Sequence, residues 1–244
     1  LEALRLKYML IGIDANEANL TPNRVGINEY AFNLLWALSR LKTKHQIVVY
    51  LKSPPQKDMP DLNYRVIPFP KLWTQTRLPW DLFTHQPQPD VFFSMTHYAP
   101  RFAPIPTVVA IMDLGFLQHP EQFTAKDFNQ LKSWTGYSVR QAKRIIAISE
   151  FTKQDIVKTY SVNPASVTVT PLAYDKKLFK PTPVPAKQPY ILFLGSLKPN
   201  KNVEGLIRAF HLLSTGHLAP STKLVIAGKK AWLYDRIFEL VRSL

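Results

Sequence analysis

Short apolar runs rich in valine, isoleucine and phenylalanine recur along the first 170 residues. They lie at Met9–Asp14, Gln46–Leu51, Tyr64–Pro68, Asp90–Ser94, Thr107–Met112, Arg144–Ile148 and Val167–Thr170. Their hydrophobicity is continuous rather than alternating, which is typical of strands buried on both faces of a parallel sheet. The pattern therefore predicts a parallel sheet covered by other elements on both sides.

Helical patterns fill two of the intervals between these runs. In GINEYAFNLLWALSRL the apolar positions return at helical spacing on one face, at Ile27, Tyr30, Ala31, Leu34, Leu35, Leu38 and Leu41. A second helix is predicted over Ala125–Lys143, with Phe128, Leu131, Trp134 or Thr135, and Val139 facing inward. Strands that alternate with helices indicate a doubly wound α/β fold.

Two proline-rich stretches interrupt this pattern. Residues 55–80 are rich in proline and aromatic residues and predict an ordered loop region over the surface. Residues 176–189 hold four prolines and predict a stiff linker between an N-terminal domain, residues 1–175, and a second domain, residues 190–244. The second domain is predicted to contain a strand at Tyr190–Leu194, a helix at Val203–Leu213, a strand at Lys223–Gly228 and the beginning of a helix at Ala231–Leu244. Because so few strand and helix units do not close a sheet, we expect this domain to be incomplete.

Composition narrows the possible functions. A chain of 244 residues with 46% hydrophobic content can bury the core of one or two domains. No apolar run reaches the roughly 18 residues that cross a bilayer, and the first residues lack the apolar core of a signal peptide, so we expect a cytoplasmic protein. The chain has no cysteine, and its six histidines lack metal-ligand spacing. We therefore expect no disulfide and no metal held by the protein.

The chain is strongly basic. Its 31 Lys and Arg residues against 17 Asp and Glu give a net charge of +14, which favours nucleic acid, an anionic membrane surface or phosphorylated ligands as partners. The excess is densest in residues 186–244, which hold nine basic and three acidic residues. No nucleic-acid-binding motif is present and the charge does not form a basic tail, so we expect no nucleic-acid partner.

The stretch FLGSLKPNKNVEGLIRAF combines a strand that ends at Gly195, a loop with two lysines, and a helix that starts near Asn202. Helix N-termini attract anions through unpaired N–H groups and the helix dipole, and a glycine lets a ligand approach the backbone. Such a loop could hold a diphosphate. Alternatively, Gly195 only shapes a turn, Asn202 caps the helix and the lysines are solvated, which is the more common case for a generic loop of this kind.

The resemblance to a known family is carried by five stretches of the chain. The stretches GSLKPNKNVEGLIRAF and KLVIAGKKAW resemble the start of the C-terminal domain of family 4 glycosyltransferases of the GT-B fold. The stretches VGINEYAFNLL, DVFFSMTHYAPRFAPIPTVVAIMDLGFLQHPEQF and RIIAISEFTKQDIVKTYSVNPASVTVTPLAYD resemble the N-terminal domain of that family. They follow one another along this chain in the family's order. The resemblance implies two Rossmann-like domains, with a sugar transferred in the cleft between them from a nucleotide sugar to an acceptor, with retention at the anomeric carbon.

For the second domain, the resemblance implies a binding site for the donor diphosphate. Lys201 matches the lysine that neutralises the diphosphate as the leaving group gains charge. Ser196 stands where many members carry an arginine, and Gly195 would give the diphosphate access to the backbone. Asn202 completes this group at the start of the helix.

For the first domain, the resemblance implies a second group of residues that faces the cleft. Gly26 matches the loop after the first strand, although the second glycine of that loop is Asn28 here. Asp113 matches the Asp of a His-Asp pair whose His position is Met112, and His97 could compensate for that change or be a structural residue.

Ser149 and Glu150 follow the sixth strand and belong to the same predicted group. Ligands of open α/β sheets bind outside the carboxyl ends of the strands, where Gly26, His97 and Asp113 also lie. Ser149 is also a good N-cap for the helix that follows, and that interpretation is the stronger one. Trp73 and Trp80 could frame an acceptor site, although loop packing is the safer explanation for them.

The family also carries two glutamates separated by seven residues, in a segment resembling EGFGLPxLEAmaxG that holds the donor ribose and sugar. Residues 1–244 contain no such segment, so the catalytic residues stay unknown and this chain alone is expected to be inactive. We expect no tightly bound cofactor and no metal, with a nucleotide-diphosphate sugar as co-substrate; GDP-mannose is the first guess. The expected acceptor is a glycan or lipid-linked sugar in polysaccharide or glycoconjugate synthesis.

Another class of function stays open. A truncated, non-catalytic GT-B relative would act as a binding protein or an interaction protein at a membrane surface. The basic segments RQAKR and KQDIVKTY could support peripheral contact with anionic lipid at the inner membrane surface, or could be solvated helix faces.

Overall fold

The computed structural model describes residues 8–181, 188–216, 221–231 and 234–244. The chain divides into two compact units between Ala173 and Tyr174. At the start of the predicted linker, the Asp175 carboxylate accepts a hydrogen bond of 2.7 Å from the backbone N–H of Lys177. Residues 182–187 of that linker lie outside the described residues.

The first unit is built on a parallel sheet. Its strands within the described part of the chain are β1 (Leu10–Asp14), β2 (Gln46–Leu51), β3 (Asn63–Val66), β4 (Val91–Ser94), β5 (Thr107–Ile111), β6 (Arg144–Ala147) and β7 (Val167–Val169). They are ordered β3-β2-β1-β4-β5-β6-β7, and each neighbouring pair is parallel. The chain therefore builds outward from β1 in one direction and then returns to continue from β4 in the other, as in a doubly wound fold.

Helices cover this sheet, as the sequence predicts. They are α1 (Asn16–Asn19), α2 (Ile27–Ser39), α3 (Arg77–Thr84), α4 (Gly115–Gln118), α5 (Ala125–Gln141) and α6 (Glu150–Tyr160). The predicted inward positions of α5 are confirmed, because Thr135 and Val139 are buried and Phe128 and Leu131 pack against the core. The predicted parallel, doubly wound α/β architecture is confirmed as well.

The core lies on both faces of the sheet, which explains the continuous apolar runs. On one face, Ile13 and Val49 pack with Leu35 of α2. On the other face, Tyr50 and Phe92 pack with Leu82 of α3. Burial on both faces leaves the strand ends as the positions where polar side chains can be accommodated.

One prediction was wrong in part. Residues 55–80, expected to be an ordered loop region around the strand predicted at Tyr64–Pro68, contain that strand as β3 but also the first half of α3, which was not predicted. Proline near a helix start is compatible with a helix, since the first turn needs no N–H partner there, and Pro79 lies in the first turn of α3. The aromatic residues that suggested a surface loop include Trp73, which is buried and donates its indole N–H to the Ile67 carbonyl at 2.7 Å.

The second unit contains two parallel strands and two helices among its described residues. These are β8 (Tyr190–Leu194), α7 (Val203–Ser214), β9 (Lys223–Ala227) and α8 (Asp235–Ser243). The last helix begins at Asp235 rather than at Ala231, and residues 232–233 lie outside the described ranges. Its core joins Val203 and Ile207 of α7 with Ile237 and Leu240 of α8.

Candidate functional site

The carboxyl ends of the strands in the first unit bring several polar residues to one edge of the sheet. Asp14, at the end of β1, is aligned with Ser94 at the end of β4, and the two strands are direct neighbours. The strand order reverses between β1 and β4, which makes this the switch point where doubly wound folds bind ligands. Neighbouring residues in register point to the same face of a sheet, so Asp14 and Ser94 lie side by side.

Asp14 and Glu17 form a pair of carboxylates beside this switch point. Burial, opposed by hydrogen bonds from Asn16 and reinforced by the charge of Glu17, raises the pKa of Asp14 to about 6. Burial also raises the pKa of Glu17, although a 2.6 Å hydrogen bond from the Asn28 amide opposes the shift. The sequence analysis did not identify Asp14 or Glu17 as site residues. The one available signal was that Asp14, a charged residue, ends the apolar run LIGID.

Gly26 caps α2 with φ 55° and ψ −117°, a backbone conformation suited to glycine. No atom lies within 4 Å of the position that a Cβ would occupy there. Asn28 ties α2 to α1 through Glu17, and Arg24 holds the preceding loop by donating to Ala18 and to Asp58. The loop therefore has internal anchors, and Gly26 lies exposed at its end.

His97 follows β4 and has the left-handed backbone value φ 43°. The residue is 9% exposed, and among the described residues its Nδ1 has no hydrogen-bond partner. Burial lowers the pKa of the imidazole to about 4, while the charge of Asp113 acts in the opposite direction. His97 is therefore neutral at physiological pH. It lies close enough to Asp113 for the charge of that carboxylate to raise the pKa of the imidazole.

Asp113 follows β5 and is exposed, and its carboxylate accepts a 2.9 Å hydrogen bond from the Gly115 N–H. Met112 is buried at 9% exposure, and its carbonyl accepts a 3.0 Å hydrogen bond from the Thr152 hydroxyl. Asp113 therefore lies exposed at the carboxyl edge of the sheet, and the buried Met112 occupies the position before it, where the family has a histidine.

Ser149 caps α6, as the sequence predicts. Its hydroxyl accepts a 3.1 Å hydrogen bond from the Thr152 N–H and lies 3.0 Å from the Thr152 hydroxyl. Through Thr152, the start of α6 is linked to the Met112 carbonyl at the end of β5. Glu150 is exposed in the first turn of α6.

In the second unit, the segments that follow β8 and β9 stay paired beyond the strands. The Gly195 N–H donates to the Ala227 carbonyl at 3.0 Å, and the Leu197 N–H donates to the Lys229 carbonyl at 2.9 Å. The Ala231 N–H then donates to the Leu197 carbonyl at 3.1 Å. This pairing fixes the lysine-rich segment after β9 beside the predicted diphosphate loop.

The loop between β8 and α7 contains Ser196, which is partly buried, and Lys201, which is exposed in a short 3-10 turn. Asn202 caps α7 in a left-handed conformation, and its side chain accepts a hydrogen bond of 3.3 Å from the Gly205 N–H. A cavity of about 180 Å³ beside this loop is lined by Lys198, Pro199, Asn202, Val203, Glu204 and Ile237. Asn202, which is the predicted cap, and Lys201 therefore lie together at the start of α7.

The exposed lysines of this unit add to the positive charge at the ends of the two strands. Lys229 and Lys230 follow β9 and are exposed, as is Lys201. The Lys230 ammonium lies 5.1 Å from the Tyr234 ring and 4.8 Å from the Phe238 ring. This edge can attract an anion, in contrast to the carboxylate-bearing edge of the first unit.

The described residues contain no group of three or more His, Asp or Glu side chains placed to hold a metal ion. In the same part of the chain, no helix is long and apolar enough to cross a membrane. Trp73 packs in the core, as the loop-packing interpretation expected, whereas Trp80 is 65% exposed on α3.

Two family models match the chain. The model described as Glycosyltransferase Family 4 matches residues 25–178, and the model described as Glycosyl transferases group 1 matches residues 175–240. O-antigen chain mannosyltransferase B of Escherichia coli is 24% identical in an alignment of 144 residues that covers 55% of this chain and 38% of that protein. The chain thus spans well under half of the length of this curated relative.

Solved structures with the same fold cover nearly all of this chain. HepE of Anabaena, in complex with UDP and glucose, has a TM-score of 0.64 at 16% identity and matches 96% of this chain and 65% of its own. A glycosyltransferase of Rickettsia africae has a TM-score of 0.57 at 14% identity, with 98% and 65% covered. At these identities the likeness shows the fold of the chain.

Proposed function

Since this chain belongs to glycosyltransferase family 4 and has the α/β fold of GT-B enzymes, we propose that it transfers a hexose from a nucleotide sugar to a glycan or lipid-linked acceptor, with retention at the anomeric carbon. One observation carries the proposal for this chain. The loop between β8 and α7 joins Gly195, Lys201 and the Asn202-capped helix start within the part that matches the group 1 glycosyltransferase model.

The chemistry of this loop suits a diphosphate leaving group. As the bond between the sugar and the diphosphate breaks, negative charge grows on the phosphate oxygens, and a fixed cation there stabilises the transition state more than the ground state. Lys201 supplies such a cation, and Lys229 and Lys230 raise the positive potential of the same edge. Ser196 supplies a hydroxyl where many members supply an arginine, so more of the charge compensation falls to Lys201.

Two similarities guide the choice of donor. HepE was solved in complex with UDP, which supports a nucleoside diphosphate as the bound part of the donor. The similarity to a mannosyltransferase supports mannose as the sugar, so GDP-mannose is the donor to be tested beside UDP-glucose. The similarity to the same mannosyltransferase, which acts on the O-antigen chain, supports polysaccharide synthesis as the process in which this protein takes part.

The first experiment measures nucleotide binding to this chain. UDP and GDP are titrated by isothermal calorimetry against wild type, Lys201→Ala and Lys223→Ala. Lys223 is a matched control, because it is exposed in the same unit but lies at the opposite end of β9. We expect Lys201→Ala to weaken binding of the preferred nucleotide about tenfold, the loss of one charge-assisted contact, and Lys223→Ala to change it less than twofold.

The same substitution is then placed in a protein that extends through the family's glutamate segment. There, we expect Lys201→Ala to lower transfer at least about tenfold, mainly through the turnover number, because the interaction strengthens as charge develops. Equal nucleotide affinity in all three proteins, or unchanged turnover in the extended variant, would remove Lys201 from the mechanism.

Peripheral contact with an anionic membrane belongs to the same proposal. Trp80 and Phe83 are exposed on α3, close in sequence to the exposed Leu72 and Lys71. Aromatic side chains beside a cation are typical of interfacial contact. Co-sedimentation with vesicles of phosphatidylglycerol should fall for Trp80→Ala and stay unchanged for Trp36→Ala, whose indole instead donates to the Asp58 carbonyl. Absence of wild-type binding at low salt would end this part of the proposal.

A further inference from the structure

Strand β3 is one edge of the parallel sheet of the first unit, with β2 as its neighbour. The Ile67 N–H donates to the Leu51 carbonyl of β2 at 2.9 Å. Because peptide groups alternate in direction along a strand, Arg65 pairs with β2, and the N–H and C=O groups of Tyr64 and Val66 point away from it. Within the described part of the chain, no residue supplies a hydrogen-bond partner to these four groups.

A cavity of about 350 Å³ lies beside this edge, on the face of the sheet that packs against α3. Its floor is formed by side chains of that face, at Leu10, Gln46, Val48, Tyr50, Asn63 and Arg65. Tyr64 and Val66 also line the cavity, although their side chains point to the opposite face. The cavity therefore reaches the backbone of β3 at the two residues with unpaired groups.

The cavity is separate from the candidate site at the carboxyl ends of the strands. Leu10, Gln46 and Asn63 are the first residues of β1, β2 and β3, so the cavity lies toward the amino ends. His85 and Pro87, which follow α3, form its wall. A space of this size and shape is large enough to receive a side chain of a partner.

The charge of the lining favours an acidic side chain. Arg65 lines the cavity, and among the described residues that do so none is acidic. Its Nε and Nη2 are paired with the Asp81 carboxylate, and Nη1 takes no part in that pair. Arg77 lies 3.7 Å from the same carboxylate, so two cations face one buried anion. Asp90 accepts the Leu10 N–H nearby but is exposed, where solvent and salt screen its charge.

A second copy of this chain fits the edge poorly. If two β3 strands paired antiparallel through Tyr64 and Val66, Arg65 of one chain would lie directly opposite Arg65 of the other. Like charges in that position are destabilising, and a charged residue on an edge strand is a common way to prevent self-pairing. An acidic residue opposite Arg65 would instead be attracted.

We propose that the edge of β3 binds an extended segment of another protein, which adds an antiparallel strand beside Asn63–Val66 and places an acidic side chain in the cavity next to Arg65. An extended backbone offers N–H and C=O groups at the spacing of a strand, and a pocket for an alternate side chain gives specificity. Antiparallel pairing is the more stable form. This inference goes beyond the proposed function and does not rest on it, because it assigns a docking surface for a protein partner.

The test titrates a peptide into the full chain labelled with nitrogen-15 and follows the backbone amides by NMR. The probe is an acetylated and amidated heptapeptide with threonine at the odd positions, valine at the second and sixth, and glutamate at the fourth. With the glutamate opposite Arg65, the third and fifth residues pair with Val66 and Tyr64. We expect the largest shifts at the amides of Tyr64 and Val66.

Changes in the peptide separate backbone pairing from the side-chain contact. Replacing the glutamate by glutamine should weaken binding about threefold, the value of a partly exposed ion pair, and lysine should weaken it further. Methyl groups on the nitrogens of the third and fifth residues remove the N–H groups that face β3, so binding should be lost. A methyl group on the glutamate nitrogen, whose N–H faces solvent, should change the affinity less than twofold.

Two proline variants of the chain test the edge itself. Val66→Pro removes one outward N–H and keeps the pairing with β2, since proline is tolerated on the open side of an edge strand. It should weaken binding about five- to tenfold, the loss of about one hydrogen bond. Val169→Pro is the matched control, because β7 is the edge strand at the other end of the sheet. The Thr170 N–H donates to the Ala147 carbonyl, so the Val169 N–H also points outward. That variant should bind like wild type.

The outcomes that would overturn the inference are distinct. They are no binding to wild type, equal binding of the glutamate and lysine peptides, or equal affinity of Val66→Pro and Val169→Pro. Sedimentation of wild type as a dimer that Val66→Pro dissociates would assign the edge to a second copy of this chain and would overturn the inference as well. None of these results bears on nucleotide binding at Lys201, which lies in the other unit.

Discussion

A Cβ on Gly228 would stand 1.8 Å from the carbonyl oxygen of Gly195. These two glycines follow β9 and β8, the neighbouring parallel strands of the second unit. Their close approach lets the backbone pairing continue to Leu197 and Lys229, past the ends of both strands. The shape of the predicted diphosphate loop therefore requires a glycine at position 228, directly after β9.

Gly228→Ala should disturb that loop and destabilise the second unit. The added methyl group meets backbone rather than a flexible side chain, so we expect a loss of at least about 2–3 kcal/mol, the upper part of the range for overpacking. Hydrogen exchange measured by mass spectrometry should show faster exchange across residues 190–197. Gly216→Ala is the control, because no atom lies within 4 Å of its added Cβ. Equal exchange in both variants would show that the two segments can separate without cost.

Ser149→Ala should destabilise the first unit by about 1 kcal/mol, the usual value for loss of an N-cap. The hydroxyl satisfies the Thr152 N–H, and the alanine variant leaves that donor without its cap. Urea unfolding followed by tryptophan fluorescence measures the change, and Ser149→Asp should restore most of the stability. Ser133→Ala, within α5, is a suitable control, since its hydroxyl makes only a 3.5 Å contact with a helix carbonyl. A loss equally large at Ser133 would contradict the capping role.

The strands and their parallel arrangement could be predicted, because strands buried on both faces have continuous apolar sequences. The bounds agree closely, as for Gln46–Leu51, which the structure reproduces. Helix α3 was missed because Pro79 in its first turn and the neighbouring proline and aromatic residues favoured a loop, although its buried Leu78 and Leu82 have helical spacing. The cap at Ser149 was predictable from local sequence alone.

The candidate site was harder to predict, because its members meet only through the strand order. Asp14 and Ser94 are 80 positions apart, and their alignment depends on β1 lying beside β4. No local pattern marks that neighbourhood. The left-handed backbone at His97 likewise depends on contacts with β5 and α5 on either side of the residue.

Arg65→Ala should cost about 2–3 kcal/mol, because it leaves a buried carboxylate without its main partner. Nε and Nη2 of Arg65 lie 2.6 and 2.7 Å from the two carboxylate oxygens of Asp81, whose side chain is 3% exposed. Arg77 approaches the same carboxylate only to 3.7 Å, so Arg77→Ala should cost less than about 1 kcal/mol. Urea midpoints compare the two variants.

A third protein checks the cause of the Arg65 effect. In Arg65→Met with Asp81→Leu, no buried charge is left behind, so we expect this protein to be more stable than Arg65→Ala. If it is less stable, packing of the arginine stem rather than the stranded charge explains the loss.

The pH dependence of stability should reveal two opposing groups at the switch point. The pKa of Asp14 rises from 3.8 to about 6 on folding, so between pH 4 and 6 the folded state binds a proton that the unfolded state has lost. Stability from this group therefore falls as the pH rises through that window. The pKa of His97 falls from 6.5 to about 4, so the unfolded state binds the extra proton and stability rises over nearly the same window.

Single variants should separate these two slopes. His97→Asn removes the rising contribution, so its stability should fall between pH 4 and 6 more steeply than that of wild type. Asp14→Asn removes the falling contribution, so its stability should rise from pH 4 to 6.5 and exceed that of wild type most above pH 6. Urea midpoints at half-unit steps, read from tryptophan fluorescence, measure both, since four of the five tryptophans lie in residues 1–173. Parallel curves for wild type and both variants would mean that neither group changes its affinity for protons on folding.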